Sequence, residues 1–122
     1  MDIYREHILD HYRNPRGWGS IDQPTTEATG FNELCGDTLT IQLLFNEKQL
    51  TKIAFTGHGC AISLATASLL TEAVVNKTDQ EIKELNTHTI EQLLGFPLPP
   101  ARLKCGLLSL ETIQQACAKL KR

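Results

Sequence analysis

The stretch DTLTIQLLFNEKQLTKIAFTG, residues 37–57, decides the fold. Leu39, Ile41, Leu43 and Phe45 alternate with Thr38, Thr40 and Gln42, the period-two pattern of a strand with one apolar face. Asn46 to Gln49 make a polar turn. LTKIAFTG, residues 50–57, then reads as a further strand with Ile53 and Phe55 facing inward. Two strands this close in sequence pair antiparallel.

Working outward, CAISLATASLLTEAVVN, residues 60–76, carries Ile62, Ala65, Leu69 and Ala73 at helical spacing. Its many small residues predict a tightly packed helix. TDQEIKEL opens with the capping residues Thr78 and Asp79 and predicts a short helix. THTIEQLLG predicts another, stopped by Gly95. FPLPPARLK is a proline-rich connector, and a last helix is expected over CGLLSLETIQQACAKLK, residues 105–121. Its expected buried stripe is Leu103, Leu107, Leu110, Ile113, Cys117 and Leu120.

Upstream, TTEATGF, residues 25–31, reads as a short first strand, and RGWGSIDQP as a loop. DIYREHILDHYRN, residues 2–14, predicts a helix with Tyr4, Ile8 and Tyr12 on one face. Asn14-Pro15 ends it, because proline disfavours the α region in the residue before it. Strands early and helices late predict an α+β domain with helices on one face of an antiparallel sheet. No linker, repeat or low-complexity segment interrupts the chain, so residues 1–122 are read as one domain.

The chain is 41% hydrophobic and 21% charged, with a net charge of -2 and mixed signs. That balance lacks the basic patch a nucleic acid needs. No apolar run is long enough to span a bilayer, and the N-terminal MDIYREHILDHYRNP is too charged for a signal peptide. A cytosolic protein is expected, with Cys35, Cys60, Cys105 and Cys117 reduced. Metal binding or sulfur chemistry then suits them better than disulfides, and no Cys-x-x-Cys pair is present.

Cys60 sits where a strand ends and a helix begins, in TGHGCAIS, residues 56–63. A helix N-terminus favours thiolate over thiol. The competing reading is a small core cysteine at a tight turn. Cys35 lies in NELCGDT, where Asp37 and the thiol can converge on one cation; an ordinary Gly-Asp turn explains the same residues. Cys105 follows Lys104, whose ammonium group favours thiolate. It falls about a third of a turn off the expected stripe, which predicts a freer side chain. Cys117 lies in the middle of the stripe and reads as core. Three thiols and a carboxylate can hold zinc or an iron–sulfur cluster. His58 is a neighbouring alternative ligand or a solvated turn residue. His7 and His11 form an i, i+4 pair without a third partner, and His88 reads as exposed.

In this order the thiol motifs are recognisable. The chain resembles the NifU/IscU-type iron–sulfur cluster assembly proteins, which include the SufU branch, nearly end to end. ILDHYRNPRGWG is similar to the family's first helix and loop, CGD at Cys35 to Asp37 to its first cysteine motif, GHGCAISLATAS to the second and LPPARLKCGLL to the third. The resemblance implies a three-stranded antiparallel sheet with helices packed against it. It implies that Cys35, Asp37, Cys60 and Cys105 gather at one exposed end as metal or cluster ligands, holding Zn2+ or a [2Fe-2S] cluster. It implies a cysteine desulfurase as sulfur donor, with Cys35 the candidate persulfide acceptor, and iron–sulfur acceptor proteins downstream. LPPAR, Leu98 to Arg102, is similar to the motif by which an Hsp70-type chaperone grips IscU.

The branch features are mixed. Lys104 stands where IscU-like members have histidine, as in SufU-like proteins, but the extra SufU segment between the second and third motifs is lacking. Glu33 replaces a usual proline, and Gly106 a usual alanine or serine. Three functions follow as expectations: a cluster scaffold, a zinc-dependent sulfur acceptor of SufU type, or a non-catalytic domain with a structural zinc.

Overall fold

A computed structural model describes residues 3–120. Helix α1 (Ile3–Arg13) leads into a loop and then three strands, β1 (Thr26–Asn32), β2 (Asp37–Asn46) and β3 (Gln49–His58). Four helices follow: α2 (Ala61–Val74), α3 (Asp79–Lys83), α4 (Thr87–Leu94) and α5 (Leu103–Ala118), the last entered through a 3-10 turn at Pro100–Arg102. The sheet is an antiparallel meander, β1-β2-β3, with Ile41 paired to Ala28 and Phe55. The α+β architecture read from the sequence is the one observed.

Leu39, Ile41 and Leu43 are buried on the helix-covered face, as their alternation requires. Phe45 is only half-buried, because a bulge between Leu44 and Phe45 breaks the register there. Helix α5 lies across β1 and β2, and α2 packs against β3, α5, α1 and α4. The α1–β1 loop follows the free edge of β3, where Gly17 O and Gly19 N bond Phe55, and Ile21 N–H donates to Gln42 Oε1 at 2.7 Å. The edge strand is thereby covered.

Helix α2 is more buried than the expected stripe. Ser63, Thr66, Ser68 and Thr71 are buried, whereas Ile62 and Ala73 are half-exposed. Ser63, Thr66 and Thr71 are satisfied within the helix turn, as where Thr71 Oγ1 donates to Ala67 O at 2.9 Å, whereas Ser68 finds its partners on α1 and the loop after it. Thr78 closes a capping box with Glu81 ahead of α3, and Gly95 ends α4 in the left-handed region.

The buried arc of α5 also differs. Leu103 is exposed, and Cys105, Leu108, Ser109, Thr112, Ala116 and Cys117 are buried. Cys105, Ser109, Thr112 and Ala116 recur at i, i+4, i+7 and i+11, a line of small residues that an apolar count passes over. Gly30 of β1 explains the line: a β-carbon there would collide with Thr112, so helix and strand approach closely. Lys121, the expected helix end, lies outside the described residues.

Among the described side chains of α1 the buried ones are Ile8 and His11, and Tyr12 is exposed; the side chain of Tyr4 lies outside the described residues. His11 is tolerated inside because its Nδ1 shares a hydrogen bond of 2.7 Å with Ser68 Oγ of α2. Arg16 N–H also donates to that oxygen, at 2.8 Å. Burial, helped by the charges of Arg16 and His7 and opposed by Glu72 and Asp10, holds His11 below its ordinary value of 6.5. The unfolded chain therefore binds a proton that the folded chain refuses. Stability is expected to fall as pH drops below about 6.5, levelling off once the folded-state value is passed, with a slope of at most about 1.4 kcal/mol per pH unit from this group. Denaturation midpoints of wild type and His11→Gln between pH 7.5 and 5 check this, the variant being flatter.

Candidate functional site

Three chain segments meet at one end of the sheet. The first is the tip of the β1–β2 hairpin. Asn32 pairs with Asp37, and Glu33 to Gly36 turn the chain between them. Gly36, at φ +74, supplies the left-handed residue the turn needs. The turn exposes Cys35 and drops Asp37, at 2% exposure, into the site. The second segment is the β3–α2 joint with Cys60. The third is the first turn of α5, which carries Cys105.

The sulfurs of Cys35 and Cys105 lie 3.4 Å apart. One ligand atom from each of Cys35, Asp37 and Cys105 fits within 4.8 Å of the others. The Cys60 sulfur falls outside that group, directed to Ser63 Oγ at 3.8 Å. Its backbone belongs to the site, because Cys60 N–H donates to Asp37 Oδ1 at 3.1 Å. Here the geometry corrects the sequence reading of the helix terminus. Cys60 is the N-cap residue of α2, but its side chain makes no capping bond. The Asp37 carboxylate takes the N-terminal N–H group instead, oxygen being the stronger acceptor and its charge suiting the dipole.

Cys105 is corrected too. It is 1% exposed, not free, and burial pushes its thiol up to about 12. The Cys35 thiol and the neighbouring Cys60 and Asp37 side chains add to the rise. Lys104 is exposed and does not overcome these effects. Asn32 is a residue sequence reasoning missed. Its Nδ2 donates to Cys105 Sγ at 3.7 Å, and its Oδ1 accepts Leu34 N–H at 3.2 Å, so one buried amide ties the hairpin tip to α5. A polar residue ending a buried strand just before a cysteine was the available signal.

Cys117 is fully buried in the apolar core, as its stripe position predicts, and burial raises its thiol to about 11. His58 and His88 are exposed; His7 is exposed and stacks edge-on against buried His11. Leu98 is buried with its N–H on Glu91 Oε2 at 2.8 Å, whereas Pro99 to Arg102 are exposed.

The donor set suits a thiophilic cation. Two soft sulfurs and one hard carboxylate oxygen converge, with a third thiol adjacent. The second Asp37 oxygen, Oδ2, is buried without a hydrogen-bond partner. A buried carboxylate oxygen left unpaired is costly in an apo fold and is what a cation would satisfy.

The NifU-like N-terminal domain family model matches residues 3–122. The chain belongs to that family. It is 35% identical over 124 residues to the iron–sulfur cluster assembly scaffold protein IscU of Escherichia coli K12, covering 97% of this chain and 94% of that one. It is 31% identical over 114 residues to IscU 1 of Archaeoglobus fulgidus, described as a scaffold of the same kind, covering 93% and 74%. Among solved structures, a protein described as an iron–sulfur cluster assembly scaffold for the SUF system, from Fervidobacterium islandicum AW-1, superposes with a TM-score of 0.79 at 29% identity, covering 92% and 94%. The N-terminal part of a NifU-like protein from Brucella abortus shares the fold, with a TM-score of 0.78 at 22% identity over 95% and 92%. Among the described residues no helix is long and apolar enough to cross a membrane.

Proposed function

We propose that this protein of the NifU-like family is a scaffold on which a [2Fe-2S] cluster is assembled and from which it is handed on. Cys35, Cys60, Cys105 and Asp37 are its ligands, and a cysteine desulfurase delivers sulfur to Cys35. The observation that carries the reading is the unpartnered Oδ2 of buried Asp37 beside the converging Cys35 and Cys105 sulfurs. Exposure divides the labour. Cys35, on its glycine-flanked tip, is open to a donor enzyme, while Cys105 and Asp37 are set inside to keep what arrives. The exposed Pro99 to Arg102 segment is open to a chaperone of Hsp70 type. Leu98 packs where a β-carbon on Gly106 would stand, so a grip that included it would pull on the residue after Cys105.

The test is anaerobic addition of ferrous iron and sulfide to the metal-free chain, followed by visible absorption. A cluster is expected in wild type and is expected to be lost in Cys35→Ser, Cys60→Ser and Cys105→Ser separately. Formation that tolerates all three substitutions would overturn the ligand set.

A second reading, a zinc-dependent sulfur acceptor, is favoured by one observation: Lys104, an ammonium that cannot ligate, precedes Cys105, which leaves Asp37 as the candidate fourth donor. Competition with a strong chelator separates the two. Zinc near one per chain that resists removal supports the sulfur acceptor; zinc that leaves readily from a chain that then takes up iron and sulfide supports the scaffold. A purely structural zinc requires the metal-free chain to unfold. The continuous apolar core linking sheet and helices away from the site supports a chain that stays folded without metal.

A further inference from the structure

A desulfurase delivers sulfur as the outer atom of a persulfide, whereas a cluster contains sulfide, so each sulfur must gain two electrons. We infer that the Cys35–Cys105 pair supplies them: the buried Cys105 thiol cleaves a persulfide on Cys35, releasing hydrogen sulfide and leaving a Cys35–Cys105 disulfide. The inference rests on Cys35 being the sulfur acceptor proposed above.

Distance comes first. The two sulfurs are 3.4 Å apart before any sulfur is loaded. A disulfide needs about 2.0 Å, a closure of roughly 1.4 Å that an exposed hairpin-tip side chain can make. Exposure is the second support. Cys35 is exposed and meets a donor from outside, while Cys105 is 1% exposed and is shielded from one. An accessible acceptor with a sheltered thiol in reach is the arrangement of a peroxidatic and a resolving cysteine. The third is elimination among the remaining thiols. Cys117 is sealed in the core, and the Cys60 sulfur lies outside the Cys35–Asp37–Cys105 group. Cys105 is the thiol whose sulfur is in contact with that of Cys35.

The step balances without an outside oxidant. Cys105 Sγ bonds to Cys35 Sγ, and the bond from Cys35 Sγ to the outer sulfur breaks. The outer sulfur leaves with the electron pair as hydrosulfide and takes up the Cys105 thiol proton, giving hydrogen sulfide. The carboxylate of Asp37, with an oxygen within 4.8 Å of both sulfurs, is placed to relay that proton. The outer sulfur is reduced by two electrons, and the two cysteine sulfurs are oxidised by two. Attack on the inner sulfur is favoured because hydrosulfide is a better leaving group than an alkyl thiolate. The disulfide removes two of the proposed ligands, so a dithiol reductant must reset the site before metal binds. A bound metal holds Cys105 and prevents the step.

The experiment uses the full chain, stripped of metal, exposed briefly to cysteine persulfide, desalted and held without oxygen or thiols. Wild type is expected to release one sulfide per chain, to finish two hydrogens lighter than the reduced chain, and to yield a cross-linked Cys35–Cys105 peptide. Cys105→Ser is expected to keep the added sulfur on Cys35 at least about ten-fold longer; its circular dichroism is checked against wild type. The wild-type cross-link is read independently of whether that variant folds. Sulfur that stays on wild-type Cys35, or that moves intact to Cys105, would overturn the inference while leaving the acceptor role standing. A Cys35 that takes up no sulfur in either chain overturns both.

Discussion

Asp37→Ala is expected to lengthen the life of an assembled cluster by about an order of magnitude, measured as decay of its visible absorption in the presence of a chelator. In the proposed ligand set the carboxylate is the one hard donor among soft ones, and its charge adds to that of neighbouring thiolates. It also has a second attachment, since Oδ1 accepts the Cys60 N–H at 3.1 Å. A ligand that can fall back on a helix N-terminus exchanges easily, and each exchange opens iron to an incoming group. Alanine removes that route and leaves the sulfurs in place. It also removes a buried oxygen, Oδ2, that has no hydrogen-bond partner, which offsets part of what the metal-free variant loses with the Oδ1 bond at the α2 N-terminus. A cluster that decays faster in Asp37→Ala would mean that the carboxylate holds iron rather than releasing it.

The largest loss of stability is expected from Phe55→Ala. Phe55 is 1% exposed at the centre of β3, paired with Ile41 of β2. Its ring meets Trp18 edge-on at 5.5 Å, and its backbone carries the loop along the strand edge through Gly17 and Gly19. Truncation leaves a cavity under a sheet that cannot collapse to fill it, costing about 3–5 kcal/mol. Against a total of about 5–15 kcal/mol for a domain, that is a large fraction. The urea midpoint is expected to drop with the slope unchanged. A shift worth under about 1 kcal/mol, well below the usual cost of such a truncation, would show that the loop and α2 close over the gap.

The regular elements were legible because their signals are local. Leu39, Ile41 and Leu43 alternate over a few residues, and Thr78 with Glu81 satisfies a helix end within one turn. Each strand, cap and stop is decided by neighbours in sequence. The stripes of α1, α2 and α5 were read less well. His11, Ser68 and Thr112 are buried polar groups whose partners or local bonds make burial tolerable, and hydrophobicity alone assigns such residues to the surface.

The identities at the site belong to the sequence: which residues are thiols, which carboxylate follows the first of them, and that lysine stands before the last. Tertiary structure decided the rest. Cys35 and Cys105 are 70 positions apart, and nothing in that spacing encodes a 3.4 Å contact. It arises because β1 and β2 pair in a register that places the hairpin tip at the sheet's end, and because Gly30 lets α5 settle against β1. The same packing buried Cys105, which helix periodicity had left free, and gave the α2 terminus to Asp37 rather than to the Cys60 sulfur. Periodicity fixes which side of an element a residue takes; which surface covers that side depends on elements distant in the chain, and only their packing determines it.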